Sequence, residues 1–237
     1  MVKIRFRGVC AVSNDELERR KPLLKQYPSP PKATDDRLCV VGGGPSAGRL
    51  IDEIRSYRQI WAINGTYDWC MANGINATLF TIDPIYRGKA KVGIFADVCL
   101  PETIAACGRA FVYPHDGFAR GTTSATAVPH LAITLGYRRL TFYGCEGSFE
   151  GRTHTFKDIA GDRLWIEANG QEFVTNPQML LQSEVLAEVI RLAPHVFSNR
   201  SGGLLDALVA DSDYDVTAAN RKLYDTIMGV QDDQDSQ

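Results

Sequence analysis

The stretch Val40–Gly48, VVGGGPSAG, decides how this chain is read. A short apolar strand, Leu38–Val41, runs into three glycines, and a helical pattern then covers Ser46–Tyr57 with Leu50, Ile51, Ile54 and Tyr57 on one face. The bare amides of such a helix start attract anions, and glycine lets a phosphate approach the backbone. Gly42, Gly43, Gly44, Pro45 and Ser46 are therefore the first candidate nucleotide-binding residues. A tight strand–helix turn with no ligand would use the same glycines. Gly42-x-Gly44-x-x-Ala47 fits the dinucleotide fingerprint, which also asks for an acid at the end of the next strand. That strand, Gln59–Ile63, ends instead in Asn64-Gly65, which argues against NAD, flavin and methyltransferase arrangements. No Gly-Lys-Ser/Thr follows the glycines, so this is not a Walker loop.

Outward from this unit the pattern keeps alternating. Tyr67–Asn73 is helical and stopped by Gly74; Ala77–Ile82 is a strand ending in Asp83-Pro84; a helix near Pro101–Cys107 precedes the strand Ala110–Tyr113. Thr122–Leu135 is a helix stopped by Gly136, with Pro129 inside it as a kink or the end of a binding loop, and Arg139–Tyr143 is a strand. The expected class is α/β: a Rossmann-like, mainly parallel sheet with helices on both faces. A small addition follows. Arg163–Ala168 and Glu172–Thr175 flank Asn169-Gly170, a two-residue hairpin signal, and an amphipathic helix over Met179–Leu192 leads to a short strand at Val196. Residues 1–36 read as an extension: an apolar stretch Val2–Val12, a helix opened by Ser13 or Asn14, and a linker Tyr27–Asp36 rich in proline. The organisation expected is 1–36 extension and linker, 37–200 nucleotide-binding domain, and 201–237 C-terminal extension with a disordered acidic tail, VQDDQDSQ.

Composition narrows the class. With 44% hydrophobic and 23% charged residues the chain is no disordered segment. Its 26 basic and 28 acidic residues argue against a protein that coats nucleic acid, though a local groove for a nucleic-acid substrate stays open. Any anion is then held mainly by amides and hydroxyls. No apolar run is long enough to cross a bilayer, and charges interrupt the first residues as they would not in a signal peptide, so a cytoplasmic protein with no membrane partner is expected. The cysteines Cys10, Cys39, Cys70, Cys99, Cys107 and Cys145 form no CxxC and read as scattered reduced thiols.

In an open parallel sheet, ligands sit beyond the carboxyl ends of the strands. Polar groups recur there: Asn64 and Gly65, Asp83, His115-Asp116, and Tyr143, Gly144 and Glu146. Thr122, Thr123 and Ser124 open a second helix with hydroxyls that would face a phosphate or sugar, or simply cap the helix. His154, in a loop after a strand end, is a candidate acid/base group near neutral pH. His130 and His195 read as structural and surface residues. Asp83, Asp116 and Glu146 could together hold Mg²⁺, although their spacing does not demand it.

GGGPS, WAING, TIDP and GTTSATAVPHLAITLGYRRLTFYGCEGSF followed by THTF occur in that order over about residues 38–200. This set resembles the MptE-like superfamily, which includes archaeal 6-hydroxymethylpterin diphosphokinases, flagellin motility-accessory glycosyltransferases and many phage proteins of unknown role. Thr122–Phe149 is similar also to the family 42 sialyltransferases. The resemblance implies a nucleotide or nucleotide-sugar donor, with Gly43, Gly44, Pro45 and Ser46 around its phosphate or ribose, Asn64 on the nucleoside, and Thr123 and Ser124 at the transferred group. The chain departs from the diphosphokinases, which carry Asp-Gly at Asn64-Gly65 and Asp-Leu-Asp-Gly at Ile82–Pro84; without those acids a magnesium–ATP site is weakened. It departs from the sialyltransferases by lacking a histidine in Glu172–Asn176 and by having Phe149 in place of a tyrosine. His154 matches the Thr-His of the motility-accessory branch. The expectation is a nucleotide-sugar glycosyltransferase with His154 or Asp83 as general base. Its acceptor would be a glycan, a small alcohol or a modified nucleic acid, and a homo-oligomer is allowed. The alternatives are an ATP-dependent diphosphokinase of a pterin-like alcohol and a non-catalytic nucleotide-binding module.

Overall fold

The computed structural model describes residues 14–86, 88–115, 123–149 and 163–214. Runs of apolar residues, buried on both sides, build its strands: β1 (Arg37–Val41), β2 (Ile60–Ile63), β3 (Thr78–Thr81), β4 (Val92–Ala96), β5 (Arg109–Tyr113) and β6 (Arg139–Tyr143). With β9 (Phe197–Asn199) they form one parallel sheet in the order β5-β4-β3-β2-β1-β6-β9. Helices α1 (Asn14–Leu24), α2 (Ser46–Arg49), α3 (Ile51–Arg55), α4 (Thr66–Ala72), α5 (Pro101–Ala105), α6 (Ser124–Leu135), α7 (Pro177–Leu192) and α8 (Gly203–Ala210) surround it. The expected Rossmann-like α/β architecture is what the chain adopts. Leu38, Val40, Ala62, Leu79, Phe95, Leu140 and Phe142 are fully buried in the sheet core, and Trp61 stacks on Phe80 with centroids 5.4 Å apart. The strand order reverses between β1 and β6, so the switch-point crevice lies at their carboxyl ends.

β7 (Leu164–Ala168) and β8 (Gln171–Thr175) form the hairpin expected from Asn169-Gly170; both turn residues have positive φ, 49° and 67°, as a type I′ turn requires. Gly136 ends α6 in the left-handed conformation.

Four details differ from the sequence expectation. The Ser46–Tyr57 helix is broken at Leu50 (φ −111°, ψ 21°) into α2 and α3, and α2 carries the poor helix former Gly48. Strand β4 was not legible: its apolar run is interrupted by Gly93, preceded by Lys89 and Lys91 and followed by Asp97. The helix expected from Thr122 begins at Ser124, with Thr123 as its N-cap in a capping box with Thr126. Finally, α8 lies beyond the expected boundary at 200, yet its Leu204, Leu205 and Leu208 belong to the main core. The proline-rich linker is also docked on the domain, with Val112 N donating to Pro28 O at 3.0 Å and Ala33 N to Leu135 O at 2.8 Å. The expected acidic tail lies outside the described residues.

Candidate functional site

At the switch point the glycines serve the protein itself. Gly42 N donates to Tyr143 O at 2.7 Å and Gly44 N to Gly144 O at 2.8 Å, so the ladder between β1 and β6 continues into both loops. A Cβ on Gly42 would lie 2.4 Å from Gly144 O, and one on Gly144 (φ 65°) would lie 2.3 Å from Gly42 O. The side chain of Glu146, only 1% exposed, lies over Gly44 and accepts a hydrogen bond from Ser46 N. Ser46 Oγ in turn accepts from Gly144 N at 3.1 Å, and the amides of Ala47 and Gly48 bond back to Gly44 O and Pro45 O. The amides of Gly42, Gly44, Ser46, Ala47 and Gly48 are committed, and a protein carboxylate stands where the anion was expected.

The loop that carries Glu146 is fixed from three sides. Leu205 N, in α8, donates to Glu146 O at 2.9 Å; Thr175 Oγ1 donates to Gly147 O; and Phe149 N donates to Val174 O of the hairpin at 2.7 Å. A Cβ on Gly147 would collide with Ser183 Oγ of α7. The hairpin–helix addition therefore buttresses the carboxyl end of β6.

The groups still open to a ligand stand one strand over. Asn64, with φ 51°, turns the chain from β2 toward α4 in a conformation that asparagine tolerates. Ser124 Oγ lies 3.1 Å from Asn64 Oδ1 and accepts from Ile82 N at 3.2 Å, so one buried hydroxyl ties the ends of β2 and β3 to the start of α6. Asn64 Nδ2 has no acceptor among the described residues. Asp83 follows Ile82. Its backbone is pinned from behind: Asp83 N donates to Thr81 Oγ1, and Cys99 Sγ donates to Asp83 O at 3.3 Å. Its carboxylate reaches solvent and has no hydrogen-bond partner among the described residues, yet the protein around it desolvates it enough to raise its pKa above the ordinary value. Thr123 Oγ1 bonds Gln182 Oε1 at 3.1 Å, bringing α7 to the same rim. Next along, Asp97 Oδ1 at the end of β4 accepts from His115 N at 2.9 Å.

The structure thus brings together Asn64, Gly65, Asp83, Thr123 and Ser124, and separately Gly42–Ser46 with Gly144 and Glu146. Tyr143 belongs to neither group. It is fully buried on a sheet face, donates to Glu53 Oε1 at 2.8 Å, and stacks edge-on with Tyr57. Burial raises its pKa, while that hydrogen bond and Arg200 lower the pKa of Glu53 from its ordinary value. Thr122, Asp116 and His154 lie outside the described residues. Sequence reasoning missed Asp97, whose strand was not recognised, and Gln182, which carries no local motif. Among the described residues no group of three His, Cys, Asp or Glu is placed to share a metal ion, and Glu146 is turned onto Ser46 rather than toward Asp83. No described helix is long and apolar enough to cross a membrane.

No family model matches this sequence, and no curated protein matches it at a significant level. In three dimensions it is similar to a MAf glycosyltransferase from Magnetospirillum magneticum AMB-1, with a TM-score of 0.58 and 19% sequence identity. The similarity covers 80% of this chain but 36% of that one, so the chain spans little more than a third of its neighbour's length. At that identity the likeness establishes a shared fold.

Proposed function

We propose that this chain is a glycosyltransferase-type enzyme that uses a nucleotide-sugar donor. The observation that carries the reading is the Asn64–Ser124–Asp83 cluster at the carboxyl ends of β2 and β3, in a fold shared with a glycosyltransferase. The donor phosphates lie along Asn64 Nδ2 and the start of α6, away from the Glu146 carboxylate, which would repel them. An acceptor hydroxyl oxygen attacks the anomeric carbon of the donor. The bond from that carbon to the phosphate oxygen breaks, the nucleoside phosphate leaves with the electron pair, and Asp83 takes the hydroxyl proton. Desolvation supports Asp83 in this role, because a raised pKa makes it a better base than a free carboxylate. His154 is the second candidate for the same proton.

The test is titration calorimetry with CMP, UDP and ATP, followed by release of nucleotide from the matching nucleotide sugar. Binding is expected for CMP or UDP. Asp83→Asn is expected to lower turnover by ~10²–10⁴ while nucleotide affinity stays within a few-fold. Absence of affinity for every nucleotide refutes the proposal. ATP binding with magnesium-dependent AMP release would replace it with diphosphoryl transfer.

A further inference from the structure

We propose that the cleft at the amino ends of β1 and β6 binds a phosphate group, either as the free anion or as a small phosphate monoester. A cavity of about 230 Å³ opens there, and its walls include Arg37, Tyr57, Arg139, Thr141, His195 and Ser198. It is separate from the site described above: β1 and β6 each run five residues, so at about 3.3 Å per residue the two ends of a strand stand some 13 Å apart. The inference does not depend on the proposed function.

Charge carries the argument first. The parallel register sets Arg37 directly beside Arg139, and like charges facing each other across adjacent strands are unfavourable. Asp36 answers one of them: its Oδ2 accepts from Arg139 Nη2 at 2.7 Å and from Nε at 3.1 Å. Asp35 is committed elsewhere, accepting from the Arg37 backbone amide at 3.0 Å. The Arg37 guanidinium has no carboxylate within ion-pair distance among the described residues. It lies over the face of the Tyr57 ring, 5.6 Å away, and the Asp35 carboxylate attracts it from beyond ion-pair distance. Two guanidiniums and an imidazole therefore border a cleft in which a single carboxylate forms an ion pair, and an anion placed there relieves the repulsion.

Hydroxyls supply the rest of an oxyanion site. Thr141 Oγ1 accepts from Tyr57 OH at 3.1 Å and from Ser198 Oγ at 3.1 Å, which leaves its own proton for an acceptor in the cleft. The wall is stiff. Tyr57 packs edge-on against Tyr143 at 5.9 Å, and Tyr143 is anchored on Glu53, which Arg200 holds in turn. Donors that are already positioned bind an oxyanion without first being ordered. Size sets the class: ligand pockets commonly hold about 300–1,000 Å³. A cleft of about 230 Å³ takes a phosphate with a few carbons and is too small for a nucleotide.

The experiment is titration calorimetry of the full chain in low-salt buffer, with inorganic phosphate and glycerol phosphate as separate titrants. One saturable site is expected for at least one titrant, weakening as salt is added. Tighter binding of glycerol phosphate assigns the cleft to esters, and equal binding assigns it to the free anion. Arg37→Gln is expected to weaken binding roughly tenfold or more. Thr141→Val, which keeps the shape and removes the hydroxyl, is expected to weaken it several-fold and serves as the readout if the arginine variant does not fold. The proposal is overturned if neither titrant saturates, or if both cleft variants bind as the parent does, which would place any bound phosphate elsewhere on the chain.

Discussion

Replacing Gly44 with alanine separates two reasons for the glycine loop. The new Cβ would lie 1.6 Å from Glu146 Oε2, 2.6 Å from its Cδ and 2.9 Å from Gly144 O. Gly44 is not in the left-handed region, so the collision sets the cost rather than backbone strain. Glu146 is 1% exposed and has little room to swing, so its carboxylate must leave the Ser46 amide. Losing a charge-assisted hydrogen bond and leaving the carboxylate poorly partnered costs about 2–4 kcal/mol. In a domain of this size that lowers Tm by about 4–16 °C. Thermal and urea unfolding, followed by circular dichroism, would measure it in two backgrounds. In Glu146→Ala the main obstacle is gone, so Gly44→Ala is expected to cost at least about 1 kcal/mol less there than in the parent, with the contact to Gly144 O accounting for what remains. A phosphate cradle makes the opposite forecast: unchanged stability and abolished nucleotide affinity. Equal destabilisation in both backgrounds would refute the packing explanation.

Three further outcomes follow from particular contacts. Gly136 has φ +105° and only Ala33 Cβ, at 3.9 Å, near its position, so Gly136→Ala is expected to cost about 1–2 kcal/mol through backbone strain, and Gly136→Asn less, in the same unfolding assay. Glu184 is fully buried with Tyr214 OH donating to its Oε1 at 2.8 Å, and burial raises its pKa. An acid raised in the folded state stabilises most below its unfolded pKa of about 4.3 and loses that contribution as pH rises through the folded value. Glu184→Gln should therefore gain stability relative to the parent between pH 4 and 7; a difference that does not grow with pH would contradict this. Burial raises the thiol pKa of all five described cysteines, pushing Cys70 and Cys145 up to about 12, and Cys107 is the least buried of them. A thiol reagent applied to the native Cys10→Ser protein is expected to label Cys107 first, and rapid labelling of the other four before unfolding would be the contrary result.

What the sequence revealed tracks how local each cause is. Trp61, Ala62 and Ile63 form a buried apolar run, so β2 can be found without knowing its neighbours. Asn64, Asp83 and Ser124 were legible as candidates because strand ends and helix starts are local features. Their joining through Ser124 Oγ was not, because it depends on the sheet order. The alternation in β6 held an unused signal: Leu140 and Phe142 share one face, so Thr141 and Tyr143 share the other, and Tyr143 belongs with Tyr57 and Glu53 rather than with the crevice.

The glycine loop is where local reading was incomplete, because the carboxylate that lies on it arrives from 100 residues away. Glycines followed by a helix start look alike whether a phosphate or a carboxylate settles on them. Only the pairing of β1 with β6 brings Glu146 to Ser46. Under the proposed function its carboxylate governs where a donor can lie. Two anions side by side in a poorly solvated crevice repel strongly unless one is protonated or a cation bridges them. Under the proposed function the donor phosphates lie beside Asn64 Nδ2 and the start of α6, clear of the Glu146 carboxylate. Asp83 at the edge of that same cluster is then within the group of residues that meets the acceptor.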